Sequence, residues 1–133
     1  MKNIIVVLLV TTALVLNAQD ITTIKSFPLK GNTHTVMNTS EATTSIEEWN
    51  EDFIRIQTEI FDSNISKSLL AKLMKAGFFN LTSTQTDGGL LIDFPNKSKE
   101  VMISGKKLIY RIEYKIFIPF KHTIEVKNTK DDF

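Results

Sequence analysis

The chain contains no cysteine in its 133 residues. That removes disulfides as a source of stability, a thiolate as nucleophile or metal ligand, and the acylated cysteine that would anchor a lipoprotein. Histidine is scarce too, with only His34 and His122, far apart in the chain and without spaced partners. Glycine (5) and proline (3) are few, which leaves no glycine-rich phosphate cradle. Neither sign of charge dominates: sixteen Lys and Arg face fifteen Asp and Glu. A domain this close to neutral has no general attraction for nucleic acid or an anionic membrane. Long apolar runs are missing as well, except for one at the N-terminus.

That run defines the first 18 residues. Lys2 supplies a positive start, Ile4–Leu16 is apolar apart from Thr11 and Thr12, and Asn17-Ala18 precedes Gln19. A basic start, an apolar stretch of about 13 residues and a small residue at the end form the pattern of a secretory signal peptide, short of the roughly 20 residues of a membrane span. Cleavage is expected after Ala18, leaving a mature chain without a membrane-spanning segment in the periplasm or outside the cell. Lys2 departs with the leader, which equalises the two signs of charge.

Residues 19–32 read as a leader or edge segment interrupted by Pro28 and Gly31, and residues 33–133 as a single β-rich domain. Thr33–Ile46 is rich in β-branched residues. In residues 52–60, Ile54, Ile56 and Ile60 alternate with Arg55, Gln57 and Glu59, a strand with one buried face. A helix follows, capped by Ser63 or Asn64, with Ile65, Leu69, Leu70, Leu73 and Met74 on one face and Gly77 as its stop. Residues 78–94 read as a hairpin around Asp87-Gly88-Gly89. A short strand at 101–103 turns at Ser104-Gly105. The strongest alternation is Leu108, Tyr110, Ile112, Tyr114, Ile116 and Ile118, ended by Pro119, and residues 121–127 alternate again. The fold class is mainly β with one α-helix packed on the sheet (α+β by count), either the start of a β-solenoid or a small β-sandwich.

Chemistry-bearing patterns are sparse. His34 and His122 read as strand histidines rather than metal ligands. No serine sits in a nucleophile elbow. Glu47 and Glu48 are adjacent on a strand, so they point to opposite faces and do not form a catalytic pair. Phe78, Phe79, Phe94, Tyr110, Tyr114, Phe117 and Phe120 lack an accompanying basic stripe, which favours core packing over a base-stacking platform. Trp49 reads as a cover over the edge of the core. No catalytic, cofactor-binding or metal-binding residue is expected, and no cofactor.

Several stretches resemble a known family. Gly31–Ser40, the phrase Glu48-Trp49-Asn50-Glu51-Asp52-Phe53-Ile54-Arg55-Ile56, the helix end Lys75-Ala76-Gly77, Phe94-Pro95-Asn96 and the strand Ile112–Pro119 occur in the order seen in secreted adhesin-like proteins of the Bacteroidota, the GIN-type head-domain adhesins. The resemblance covers roughly residues 30–128. It implies a β-solenoid, a role at the cell envelope and no catalytic residues. Such proteins continue in further short strands after the proline strand. This chain therefore resembles their N-terminal part, and its last strand is expected to leave an edge open to self-association. The implied function is an exported, non-enzymatic adhesin-like domain whose partner is a protein or envelope component. The alternative is a small periplasmic binding module holding a lipid, sugar or peptide between helix and sheet; a hydrolase ranks third.

Expressed with its own leader in a bacterial host, the chain should be recovered from the periplasm with Gln19 as its first residue. Intact-mass spectrometry that found Met1 still attached would refute the leader reading.

Overall fold

A computed structural model describes residues 21–128; residues 1–20, on which the expected signal peptide falls, and residues 129–133 lie outside the described residues. Ten strands and one helix follow in the order β1 (Ile21–Pro28), β2 (His34–Thr39), β3 (Thr43–Trp49), β4 (Phe53–Phe61), α1 (Lys67–Lys75), β5 (Thr82–Thr86), β6 (Gly89–Asp93), β7 (Met102–Ile103), β8 (Lys106–Lys107), β9 (Arg111–Pro119) and β10 (Thr123–Asn128). Eight strands form two four-stranded sheets, ordered β1-β4-β9-β3 and β10-β2-β6-β5, while β7 and β8 make a separate small hairpin. Among the described residues the fold is mainly β with one short helix and no closed barrel.

Alternation builds the core between the sheets. In β4, Ile54, Ile56, Thr58 and Ile60 are buried, and in β9 so are Ile112, Tyr114, Ile116 and Ile118. From the second sheet come Thr35, Met37 and Thr39 of β2 with Leu90 and Ile92 of β6. Residues two apart along a strand share a face, so each of these strands turns one row inward and the other outward.

Strand direction divides the molecule into two regions. At one end the pairing is antiparallel, β1 with β4 and β5 with β6. At the other end two arches stack in parallel register. β2–β3 turns at Ser40-Glu41-Ala42 and β9–β10 turns at Phe120-Lys121-His122, with β3 beside β9 and β10 beside β2. Each three-residue corner holds its middle residue in the left-handed region, Glu41 at φ 42° and Lys121 at φ 70°. The third residue of each corner, Ala42 or His122, is buried. The arches combine solenoid-like stacking with the two-layer arrangement of a sandwich.

Several expectations are corrected in detail. Residues 21–28 form a sheet edge strand, the second of the two readings of that segment, and Pro28 ends the strand instead of interrupting it. Residues 78–81 precede the hairpin, which begins at Thr82. Ser66 caps the helix, its Oγ accepting from the Leu69 amide at 3.2 Å. Asn64 instead ties the loop to the strand region that follows β8: its Nδ2 donates to Lys107 O (2.8 Å) and its Oδ1 accepts from Ile109 N (2.9 Å). The helix lies against β1, an edge strand, and so meets a narrow surface. Leu70 alone of its residues is fully enclosed; Leu73 and Met74 are half-buried and Leu69 is exposed.

The segment from α1 to Leu81 crosses from the first sheet to the second and covers the β1/β5 end. Phe78, Phe79 and Leu81 are buried there with Leu70. Lys25 shares the inward face of β1 with Phe27, and its Nζ donates to Leu81 O at 2.7 Å. An inward lysine on an edge strand discourages further pairing, because a docking strand would have to bury that charge.

Leu70→Ala should lower the unfolding free energy by about 2–5 kcal/mol, whereas Leu69→Ala should cost about 1 kcal/mol or less. Urea titration of both variants measures this; equal effects would mean that the helix docks through a different face.

Candidate functional site

Three connections meet at one pole of the two-sheet stack. They are the β1–β2 turn (29–33), the β3–β4 loop (50–52) and the β9–β10 corner (120–122). An open cleft of about 710 Å³ lies among the first two, lined by Ser26, Pro28, Leu29, Lys30, Gly31, Asn32, Asp52 and Phe53. The turn is shaped by consecutive left-handed residues, Lys30 (φ 53°) and Gly31 (φ 83°). Asn32 anchors it: Nδ2 donates to Leu29 O (2.7 Å) and Gln85 Oε1 (2.8 Å), and Gln85 Nε2 donates back to Asn32 Oδ1 (2.9 Å). The amide pair joins the turn to β5, so one wall of the cleft is braced against the second sheet. Lys30 and Asp52 bring opposite charges to the same opening.

The two histidines, 88 positions apart in sequence, come together at this pole. Parallel pairing of β10 with β2 places Thr123 beside His34. His34 Nδ1 is 2.6 Å from Thr123 Oγ1, and His122 Nε2 is 2.7 Å from Thr35 Oγ1. Sequence separation hides this neighbourhood, and nothing in the spacing could have revealed it; only the register of the parallel strands does. The contacts pin the corner of one arch to the first strand of the other. Thr35 is fully buried, so its hydroxyl cannot meet a substrate despite its imidazole neighbour. Burial of His122 disfavours its charged form and lowers its pKa, and nearby His34 adds to that; the Asn32 backbone works weakly in the opposite direction. Its Nδ1 is buried without a well-oriented hydrogen-bond partner.

The neighbouring β5–β6 turn is tied to the same pole. Gly89 adopts φ 129°, and a Cβ there would lie 2.3 Å from the His34 carbonyl oxygen. Glycine at this position lets β6 approach β2; Gly88, next to it, needs no such freedom.

Trp49 lies on the outward face of the first sheet rather than over the edge of the core. Its ring packs against Phe53 (5.0 Å) and Phe117 (5.3 Å), Arg55 stacks over it at 5.0 Å, and Nε1 donates to Phe53 O. Most of the other aromatics are core residues, as expected. Phe78, Phe79, Phe94 and Tyr114 are buried and Tyr110 packs on the phenylalanines, whereas Phe120 is exposed at the pole. Glu47 and Glu48 are exposed on opposite faces of β3. Among the described residues, no three His, Asp or Glu side chains are grouped to hold a metal ion. No described helix is long and apolar enough to cross a membrane.

No protein-family model matches the chain. No curated protein matches it either. Among solved structures it is similar to a candidate cell adhesion protein from Clostridium sporogenes, at 14% identity and a TM-score of 0.48. The match covers 81% of this chain and 46% of that one, so the chain spans under half the length of that protein.

The lowered pKa of His122 has a consequence for stability. Unfolded, the imidazole takes a proton near its ordinary value of 6.5; folded, it resists protonation to a lower pH. The unfolded state therefore binds more protons in that window, and the His122 contribution to stability falls as pH drops below about 6.5. Thermal unfolding between pH 7.5 and about 5 should show a steeper loss for the parent chain than for His122→Gln. Identical slopes would show that His122 is not held neutral by the fold.

Proposed function

We propose that the protein is an exported, non-enzymatic binding domain of the adhesin-like type that acts at the cell envelope. The observation that carries this reading is the open cleft between the β1–β2 turn and the β3–β4 loop. It is an open recess whose lining, with Pro28, Leu29 and Phe53, is more apolar than polar, with a cation and an anion at its rim, held on a braced two-sheet frame. Loops fixed by a rigid scaffold are the usual place for recognition, because their backbone is already ordered before a partner arrives. The leader-like N-terminus and the ordered series of adhesin-like phrases from Gly31 to Pro119 support the same reading.

The alternative, a module holding an apolar ligand between helix and sheet, has less support. The aromatics that would line such a groove pack against one another instead. Phe78 and Phe79 lie edge to face at 4.9 Å, and Tyr110 meets Phe79 at 5.1 Å. Phe53 is the one aromatic lining the cleft, beside Pro28 and Leu29, and Lys30 and Asp52 set opposite charges at its rim.

Envelope retention tests the proposal. The periplasm-purified chain should sediment with isolated envelopes of the source cells, and Lys30→Glu combined with Asp52→Lys should reduce retention at least about fivefold. Urea midpoints must stay unchanged, since both side chains are on the rim. Equal retention of parent and variant would remove the cleft from the binding role, and no retention of the parent would remove the role itself.

A further inference from the structure

Charge is close to balance over the whole chain but not along it. Residues 21–61 carry three cations against six acids, and residues 62–111 carry eight against four. The topology gathers the basic stretch at one pole. β4 ends at Phe61 opposite Arg111, where β9 starts, and β6 ends at Asp93, so residues 62–66 and 94–110 sit at the end of the strands away from the cleft. Hydrogen bonds tie both ends of the α1 segment to that long loop: Asn64 N donates to Ile109 O (3.1 Å), and Asn96 Nδ2 donates to Phe78 O (2.8 Å). Three of the four acids are taken up there, Asp93 by Lys97, Glu100 by Lys107 and Asp62 by Arg111. The fourth, Asp87, lies in the β5–β6 turn at the cleft pole. Lys72, Lys75, Lys99 and Lys106 stay exposed as the excess, against one acid that the arches bring to this pole, Glu41 at the β2–β3 corner. Apolar side chains stand among these lysines. Leu69 is 38% exposed, Met102 59% and Ile109 58%, half of the large apolar side chains so exposed among the described residues. Met102 pairs across the β7–β8 hairpin with Lys107, and Ile109 follows on the same side because Leu108, between it and Lys107, is buried. On α1, Lys72 lies opposite buried Leu70, with Leu69 and Lys75 flanking it.

We infer that this pole is a docking surface for an anionic phospholipid bilayer. Lysines set among exposed aliphatic side chains match the two layers of a membrane interface: the lipid phosphates meet the ammonium groups, and the acyl boundary receives Leu69, Met102 and Ile109. Long lysine side chains suit that boundary, because their stems lie along apolar surface while the charge stays at headgroup level. A soluble polyanion would engage the lysines and leave the apolar side chains in water, so the apolar set selects the lipid. Net charge conceals the attraction, since the acids that balance these lysines are carried mainly by residues 21–61. The cleft lies at the opposite pole, about 30 Å away along nine-residue strands. A domain seated by its basic pole therefore presents the cleft away from the lipid. The inference does not depend on what the cleft binds.

Vesicle sedimentation of the periplasm-purified chain tests this. On vesicles of phosphatidylglycerol and phosphatidylcholine in equal parts, at about 0.1 M salt, the parent should partition at least about tenfold more strongly than on phosphatidylcholine alone. Equal partition onto both, or none onto either, would overturn the inference. Lys72→Gln, Lys75→Gln, Lys99→Gln and Lys106→Gln combined should lower the partition at least about twentyfold, and Met102→Ser with Ile109→Ser at least about fivefold. Lys115→Gln with Lys121→Gln, which removes charge from other surfaces, should leave it within about twofold. Loss in the lysine variant without loss in the apolar variant would assign the pole to a soluble polyanion and refute the bilayer. A control variant that lost as much as the others would show net charge at work rather than this surface. All the substituted side chains are exposed, so each variant is expected to keep the urea midpoint of the parent.

Discussion

Parallel stacking of the two arches is the constraint on which the rest of the molecule depends. Pairing β2 with β10 and β3 with β9 joins segments that lie some 70 to 90 positions apart. Until those contacts form, neither arch has a face to bury. Once formed, they fix the register of all four inward rows, because a slip of one residue would turn Met37, Tyr114 or Ile116 toward water. The histidine–threonine pairs at the pole reinforce that register. Thr35 and Thr123 each meet an imidazole of the other arch, and at the far end of the same strands Thr39 Oγ1 donates to Asn128 Oδ1 at 2.6 Å. The two ends of β2 are therefore tied to β10 by side chains as well as by backbone.

The same topology makes the molecule asymmetric. A chain that builds one end from antiparallel strands and a crossover helix can cover that end with its own side chains. The arch end has no such element among the described residues, since both arches spend their length pairing with each other. The fold thus separates two kinds of surface: a charge-rimmed cleft at the pole, where loops converge, and a pair of strand edges at one end of the stack.

One buried group stands apart from this arrangement. The Tyr114 hydroxyl lies in the core without a hydrogen-bond partner, and burial pushes its pKa above the ordinary tyrosine value, with Tyr110 and Asp93 adding to the shift. The ring fills the space between the sheets, and the hydroxyl is carried in with it. An aromatic of that size stabilises through its apolar area, which outweighs an unmet hydroxyl of about 1–3 kcal/mol.

How much of this could be read beforehand follows from the range of each interaction. Strands β4 and β9, the β5–β6 hairpin and the helix are local patterns: Ile54, Ile56 and Ile60, the Asp87-Gly88-Gly89 turn, and Leu70 with Leu73 and Met74 each declare themselves within a few residues. The mainly β class with one helix, the near-neutral charge and the leader-like start followed from the amino-acid order alone, because alternation, turn chemistry and composition act over short distances. The partnering of strands was another matter. That residues 21–28 close a sheet edge, that Ser66 rather than Ser63 or Asn64 caps the helix, that Leu69 is exposed while Leu70 is enclosed, that His34 and His122 become neighbours, and that Trp49 lies on an outer face were decided by tertiary structure. Each depends on which distant strand lies alongside, and a sheet accepts many partners of similar local sequence until the whole core selects one.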